Sequence, residues 1–303
     1  MLQVLLSGLA IGSVYGLVGM GFAIAFYVTR VINFAQGQLL MVSVMVTAAV
    51  ASHGVTPWFA ILCGILAAGA IGVVTYLVAV RPVLVFDRFS FAWLVSTLGV
   101  ALILENLAAV IWGPTSRSYP ALLSGSSVKI GSATLSLQEV VTIIVALFLA
   151  LAFELVRKRT LFGKVGMAIA HDPEMASAIG ANTFLFAILA FAAAGVFAGI
   201  GGAMIGPLTY ANPYLGDTYG IAGFVALMIG GIERPVAAMV GGLLLGVLNE
   251  GAQHWISTQA SDWFPFVVVV AILLLMPEGL FSAGPRLRSA GRTIVSRPGE
   301  AAS

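Results

Sequence analysis

The side chains in this sequence that could do chemistry fall in three places. One is a polar interval between two long apolar runs: Arg157-Lys158-Arg159-Thr160-Leu161-Phe162-Gly163-Lys164, then His171-Asp172-Pro173-Glu174-Met175-Ala176-Ser177 up to Gly180. Another is an amide trio, Asn33, Gln36 and Gln38, at the mouth of an apolar segment. The third is Glu105-Asn106, inside a further apolar segment. None of these is a catalytic constellation. A phosphate-cradling Walker loop ends in Gly-Lys-Ser/Thr after an upstream glycine. Here Gly163-Lys164 is followed by Val165. His53, His171 and His254 are far apart, and none stands at metal-ligand spacing from a Cys or another His. Asp172 and Glu174 are two residues apart, which puts them on different faces of a helix and argues against a carboxylate pair acting on one substrate. The reading is that the chain is not an enzyme and needs no cofactor of its own.

Binding is the chemistry these residues suit. Asp172 can cap a helix whose first residue is Pro173, Glu174 adds a charge favoured by the helix dipole, and Gly180 supplies a stop. The spacing predicts a short helix of about two turns. Its small, apolar residues Met175, Ala176, Ala178 and Ile179 suit a groove on a partner protein. The same residues would also suit a helix lying along a membrane surface, and both readings stay open. The amides carry two readings as well. Asn33 can cap the helix that follows it, or the trio can line a polar path, because amides deep in a membrane protein must be paired or wetted. Glu105 either reaches toward the interface or lines a polar cavity.

The surroundings of these groups follow from composition. The chain has 303 residues, of which 60% are hydrophobic and 9% charged, against about 25% charged in a soluble domain. The mean hydropathy is +1.07. Apolar runs recur at residues 5–27, 34–52, 58–80, 91–111, 139–156, 184–205, 236–249 and 264–275. The runs are continuous rather than alternating, so they predict membrane-spanning helices and not a barrel. Residues 212–231 are apolar but broken by Pro213, Gly216, Gly220 and Gly223, and read as a half-helix, a re-entrant segment or a thin span. The fold class is therefore an all-α polytopic membrane protein with about eight or nine transmembrane helices and a short surface helix.

Between the spans, residues 81–88 read as a loop, as does the charged interval 157–182. Residues 128–130 and 133–135 flank Gly131-Ser132 as a weak hairpin signal. Gly8, Gly12 and Gly16, and again Gly242 and Gly246, stand four apart and make flat faces for close helix packing. Residues 1–281 form one membrane domain, and the Arg-bearing tail 282–303 is expected to be mobile. Cys63, the single cysteine, cannot form an intrachain disulfide. No basic residue precedes Arg30, so the first run is expected to be retained as a span rather than cleaved. A net charge of +2 does not suggest a nucleic-acid partner.

Orientation follows from Lys and Arg, which favour the cytoplasmic side. With the N-terminus outside and residues 212–231 counted as one crossing, 12 of the 14 basic residues fall inside, and only Arg117 and Lys129 fall outside. The interval 157–182 and the C-terminus are then cytoplasmic.

Four stretches carry a family resemblance. They are Gly8-Leu9-Ala10-Ile11-Gly12-Ser13-Val14-Tyr15-Gly16-Leu17, Val31-Ile32-Asn33-Phe34-Ala35-Gln36-Gly37, the interval from Gly163 to Gly180-Ala181-Asn182, and Met276-Pro277-Glu278-Gly279-Leu280-Phe281. Together the chain resembles the smaller permease subunits of bacterial branched-chain amino acid ABC importers. The resemblance implies an inner-membrane subunit that forms half of a translocation pathway. It implies two cytoplasmic ATPases that use the ATP, a second and related permease, a periplasmic solute-binding protein, and membrane lipid around the permeases. On it, His171, Asp172, Glu174, Met175, Ala176 and Gly180 belong to the ATPase-coupling helix. Asn33, Gln36, Gln38 and Glu105 would stand near the pathway. The chain departs from the family at Gln38, where an acid is common, and at Glu105, where Gln is frequent. It departs again in the turn Gly230-Gly231-Ile232-Glu233-Arg234-Pro235-Val236-Ala237. The solute could therefore be a branched-chain amino acid or another small polar molecule. A self-sufficient secondary transporter or channel is the alternative, though it would usually show more ionisable groups in mid-span.

Overall fold

The computed structural model describes residues 1–86, 91–119, 127–130, 133–257 and 260–275. The chain opens with α1 (Leu2–Thr29), α2 (Gln36–Ala51) and α3 (Pro57–Thr75). A π-helical turn, Tyr76–Val80, leads directly into α4 (Arg81–Phe86), and α5 (Ala92–Trp112) follows. A hairpin of β1 (Ser127–Ile130) and β2 (Ala133–Ser136) precedes α6 (Leu137–Arg159), α7 (Leu161–His171) and α8 (Pro173–Ala178). The rest is α9 (Thr183–Ile205), α10 (Leu215–Gly230), α11 (Pro235–Trp255) and α12 (Ala260–Leu275). Six described helices are long and apolar enough to cross a membrane, and three shorter apolar ones accompany them.

The core is built on α1. It is apolar on every side, and such helices sit inside a bundle rather than at its surface. Its most apolar window is 83% buried. The two glycine stripes explain its tightest neighbour. A Cβ on Gly12 would stand 2.7 Å from the carbonyl oxygen of Gly242, and one on Gly246 would stand 2.3 Å from the Cα of Gly12. Glycine on both sides lets the backbones of α1 and α11 touch, so dispersion contacts replace a hydrophobic drive that is absent in lipid.

The helix ends sort into two groups. At one end, Gln3 exchanges hydrogen bonds with the backbone of Thr134 at 3.0 and 2.9 Å, and Arg117 pairs through its backbone with Ala211. At the other, Arg30 reaches Glu233 and Ala170, and the Arg81 guanidinium stacks 4.4 Å from the Phe184 ring centroid. The second end also carries Arg157, Lys158, Arg159, Lys164 and Arg234 through the elements they belong to. The described basic residues thus segregate as the charge rule expects.

Three expectations are corrected, and one left open, over residues 212–231, is narrowed. The helix begun at Pro57 does not stop before Arg81-Pro82 but runs to Phe86. Proline lacks the N–H that a regular turn would use and crowds the carbonyl one turn back. The preceding π turn, with the Arg81 N–H donating to the Tyr76 carbonyl, widens the helix enough to pass it. The first half of the charged interval is not a loop but α7, capped by Thr160, whose hydroxyl accepts from the Gly163 N–H at 3.0 Å. It is pinned by Phe162 stacking on Phe186 with ring centroids 4.5 Å apart. Residues 215–230 form one continuous helix running from the Ala211 end to the Glu233 end. Helix α11 continues past Asn249 to Trp255. The 276–281 ending, the basic tail and the Gly131-Ser132 turn lie outside the described residues.

Candidate functional site

The polar trio is explained by where α2 begins. Arg30 closes α1 with a left-handed backbone, φ 59. From there residues 31–35 run into the bundle without helical hydrogen bonding, and Val31, Asn33 and Ala35 are fully buried. Backbone of that kind is tolerated at depth only when protein satisfies it. Asn33 does so: its Oδ1 accepts from the Ala35 N–H at 3.1 Å, and its carbonyl accepts from the Gln36 N–H at 3.0 Å. Gln36 Nε2 then donates to the Ala194 carbonyl of α9 at 2.8 Å. The side chains of Asn33 and Gln36 are enclosed by this chain alone, and each keeps one unpartnered polar atom, Nδ2 and Oε1.

Gln38 faces a different set. Its Nε2 donates to Asp217 Oδ1 at 2.9 Å and to Glu105 Oε2 at 3.4 Å. Helices α2, α5 and α10 therefore meet at one amide and two carboxylates. Gln38 is buried, Glu105 is half-buried and Asp217 is exposed. Thirteen residues separate Glu105 from the start of α5, and thirteen separate Asp217 from the end of α10. At 1.5 Å per residue both acids stand ~20 Å in from the Arg30 end. The cluster thus lies well away from the Arg30 end, at the first turn of α10. Gly216 makes room for it, because a Cβ there would fall 2.0 Å from Gln38 Oε1.

At the Arg30 end the predicted short helix is present as α8. Asp172 Oδ1 accepts from the N–H groups of Glu174 and Met175 at 3.0 and 2.9 Å, and Gly180 takes the left-handed φ of 95 that ends the turn. Asn182 caps the next helix by accepting from the Leu185 N–H. Met175 and Ile179 are 69% and 82% exposed, whereas Ala176 is buried against the chain itself. His171 is exposed at the end of α7. Arg30 ties this region inward: Nη2 donates to the Ala170 carbonyl at 2.7 Å, and Nη1 to Glu233 Oε1 at 2.8 Å.

Sequence reasoning missed Asp217 and the Arg30–Glu233 pair. An acid in the first turn of a short helix is an ordinary dipole partner, so Asp217 carried no distinctive signal. The pair joins residues 203 positions apart, which no local pattern reveals. Asn249 was missed too; buried in α11, it donates to the Tyr15 hydroxyl at 3.3 Å.

A helical bundle with these apolar helices, a polar cluster where three helices meet and a capped surface helix defines a polytopic membrane protein. The family model described as "Branched-chain amino acid transport system / permease component" matches residues 4–276. The chain belongs to this permease family. It is 31% identical over 293 residues to the high-affinity branched-chain amino acid transport system permease protein LivH of Salmonella typhimurium, spanning 92% of this chain and 94% of that one. Identity to BraD of Pseudomonas aeruginosa, with the same description, is 26% over 92% and 95% of the two chains. A more distant likeness, 27% over 86% and 78%, is to the D-allose transport system permease protein AlsC of Escherichia coli. No solved structure matches.

Proposed function

We propose that this chain is the permease subunit of an ATP-driven importer for branched-chain amino acids or a similar small polar solute. It would form half of the pathway beside a second, related permease. A periplasmic binding protein would deliver solute from the Ala211 end, where the N-terminus also lies. Two cytoplasmic ATPases would dock at the Arg30 end. The observation that carries this reading is α8: a capped helix that presents Met175, and Ile179 at its C-cap, outward while Arg30 connects its neighbour α7 to α1 and to the α10–α11 turn. Exposed apolar side chains on a rigid helix suit a partner's groove. The Arg30 linkage would carry that helix's displacement into the bundle as a rigid-body shift.

Within the pathway, Gln38, Glu105 and Asp217 would meet solute. An amide beside two carboxylates, with Asp217 exposed, suits an ammonium group such as that of an amino acid. Asn33 and Gln36 would shape the wall behind them. The same acids give the secondary-transporter reading its one specific support, since ionisable groups at depth mark ion paths.

The test is purification of the tagged chain from its own membrane with identification of what accompanies it. Recovery of Walker-motif ATPases and a second permease is the expected result. A chain that comes out alone and moves solute in liposomes without ATP would overturn the proposal in favour of a carrier or channel. Glu174→Arg on α8 is expected to abolish uptake while the chain still folds, and normal uptake in that variant would remove α8 from the coupling role.

A further inference from the structure

At the Arg30 end, a cavity of about 570 Å³ opens between the last turns of α6 and the start of α11. Its charged lining is Glu154, Arg157, Lys158, Glu233 and Arg234. Both acids already have partners. Glu154 is held by Arg157 at 2.6 and 2.9 Å and by Lys158 at 2.8 Å, and Glu233 is held by Arg30. Arg157 and Lys158 also stand in the last turn of α6, where cations favour the helix C-terminus. Arg234 is different. Its side chain is exposed and forms no ion pair with any described residue.

Arg234 also stands at the start of a helix. It is the N-cap of α11, makes no side-chain cap, and is followed by a first turn without an acid. A helix N-terminus carries about half a positive charge, so a guanidinium there adds like charge to like. Helices α6, α8 and α10 carry an acid in the first turn, whereas α1, α2, α3, α5, α7 and α9, like α11, carry none. Among the described residues the Arg234 guanidinium has no carboxylate partner, and the neighbouring Glu233 is held by Arg30.

The cavity is not only polar. Val236 and Val240 line it, and the exposed Leu244 and Leu248 continue from Val240 along α11 at four-residue spacing. A soluble anion has no use for such a strip. A phospholipid has, because its acyl chain lies where the helix face is apolar and its headgroup lies at the helix end.

We propose that this cavity binds an anionic phospholipid. Its phosphate would face Arg234 and the N-terminus of α11, with Lys158 at the rim, and one acyl chain would lie along Val236, Val240, Leu244 and Leu248. Basic pockets between helix ends are suited to such headgroups. The site rests on the membrane location alone and not on the importer reading. It adjoins Glu233, so a bound lipid would bear on the linkage to Arg30.

The experiment is native mass spectrometry of the full chain, with whatever subunits accompany it. The probes are phosphatidylglycerol and phosphatidylcholine of identical acyl chains, with inorganic phosphate as competitor. Retention of phosphatidylglycerol over phosphatidylcholine is expected. Arg234→Gln should lower that retention about fivefold, the factor that ~1 kcal/mol for one basic residue near a lipid surface gives. Arg234→Lys should keep most of it, and Arg159→Gln, an exposed cation outside the cavity lining, should change little. Val240→Trp should also lower retention by filling the apolar part, and it leaves every charge in place. Equal retention of the two lipids would overturn the site. So would equal losses in the Arg234 and Arg159 variants, wild-type retention in Val240→Trp, or displacement by inorganic phosphate.

Discussion

Arg30 Nη1 lies 2.8 Å from Glu233 Oε1 and joins the end of α1 to the turn between α10 and α11. The same guanidinium holds the Ala170 carbonyl at the end of α7. The two charged side chains are 49% and 61% exposed, so the pair contributes only ~0–1 kcal/mol to stability. Its consequence is mechanical: three elements distant in sequence meet at one side chain.

Arg30→Ala is therefore expected to fold and assemble but to move less solute per ATP hydrolysed, by about tenfold if the ~1.5 kcal/mol of the charged hydrogen bond to the Ala170 carbonyl is lost. The measurement is the ratio of solute moved to ATP consumed in proteoliposomes holding the whole complex. An unchanged ratio removes Arg30 from coupling. Exchanging the charges, Arg30→Glu with Glu233→Arg, should recover only part of the ratio, because the hydrogen bond to Ala170 is not restored.

Gln38 and Glu105 depart from the resembled family in opposite senses, and they are hydrogen-bonded to each other. One amide and one carboxylate are present whichever helix carries which. Gln38→Glu alone would place three carboxylates together with Asp217 and should reduce uptake at least tenfold, since like charges at depth are costly. Adding Glu105→Gln should restore most of it. Uptake assayed in cells for the single and double variants decides the matter; no rescue by the second change would mean that the two positions do not compensate.

Gly246→Leu should prevent assembly. The first added carbon alone would stand 2.3 Å from both Gly12 Cα and Gly8 O, and both are backbone atoms. Overpacking of this kind costs ~1–3 kcal/mol or more. Yield of monodisperse protein by gel filtration is the readout, and wild-type yield would show that α1 and α11 are not in direct backbone contact.

Ser136 and Glu139 form a reciprocal cap on α6: the Ser136 hydroxyl accepts from the Glu139 N–H at 3.2 Å, and Glu139 Oε2 accepts from the Ser136 N–H at 2.8 Å. Ser136→Ala should lower stability by ~1 kcal/mol without altering uptake at moderate temperature. A thermal melt of the purified protein checks the first part and an uptake assay the second.

Asn33→Leu tests the buried turn before α2. It removes the acceptor for the Ala35 N–H and leaves that group unpaired, at ~1–3 kcal/mol. Reduced uptake with reduced thermal stability is expected. Reduced uptake at wild-type stability would instead argue that Asn33 meets solute.

The sequence by itself determined the apolar helices, because the solvent they suit leaves no other way to pair backbone groups. It also determined the segregation of basic residues and the cap at Asp172, which depend on composition and on neighbours within one turn. The glycine stripes were legible as packing faces, since their spacing is local to one helix. Tertiary structure decided the rest. That Gln38 stands in the first turn of a helix away from the Arg30 end follows from the enclosed stretch 31–35, where Asn33 accepts from the Ala35 N–H, and from Gln36, which bonds to α9. The meeting of Gln38, Glu105 and Asp217, and of Arg30 with Glu233, required three helices or two distant turns to converge. Hydrogen bonds act over about 3 Å, and a linear pattern carries no information about which distant groups come within that range.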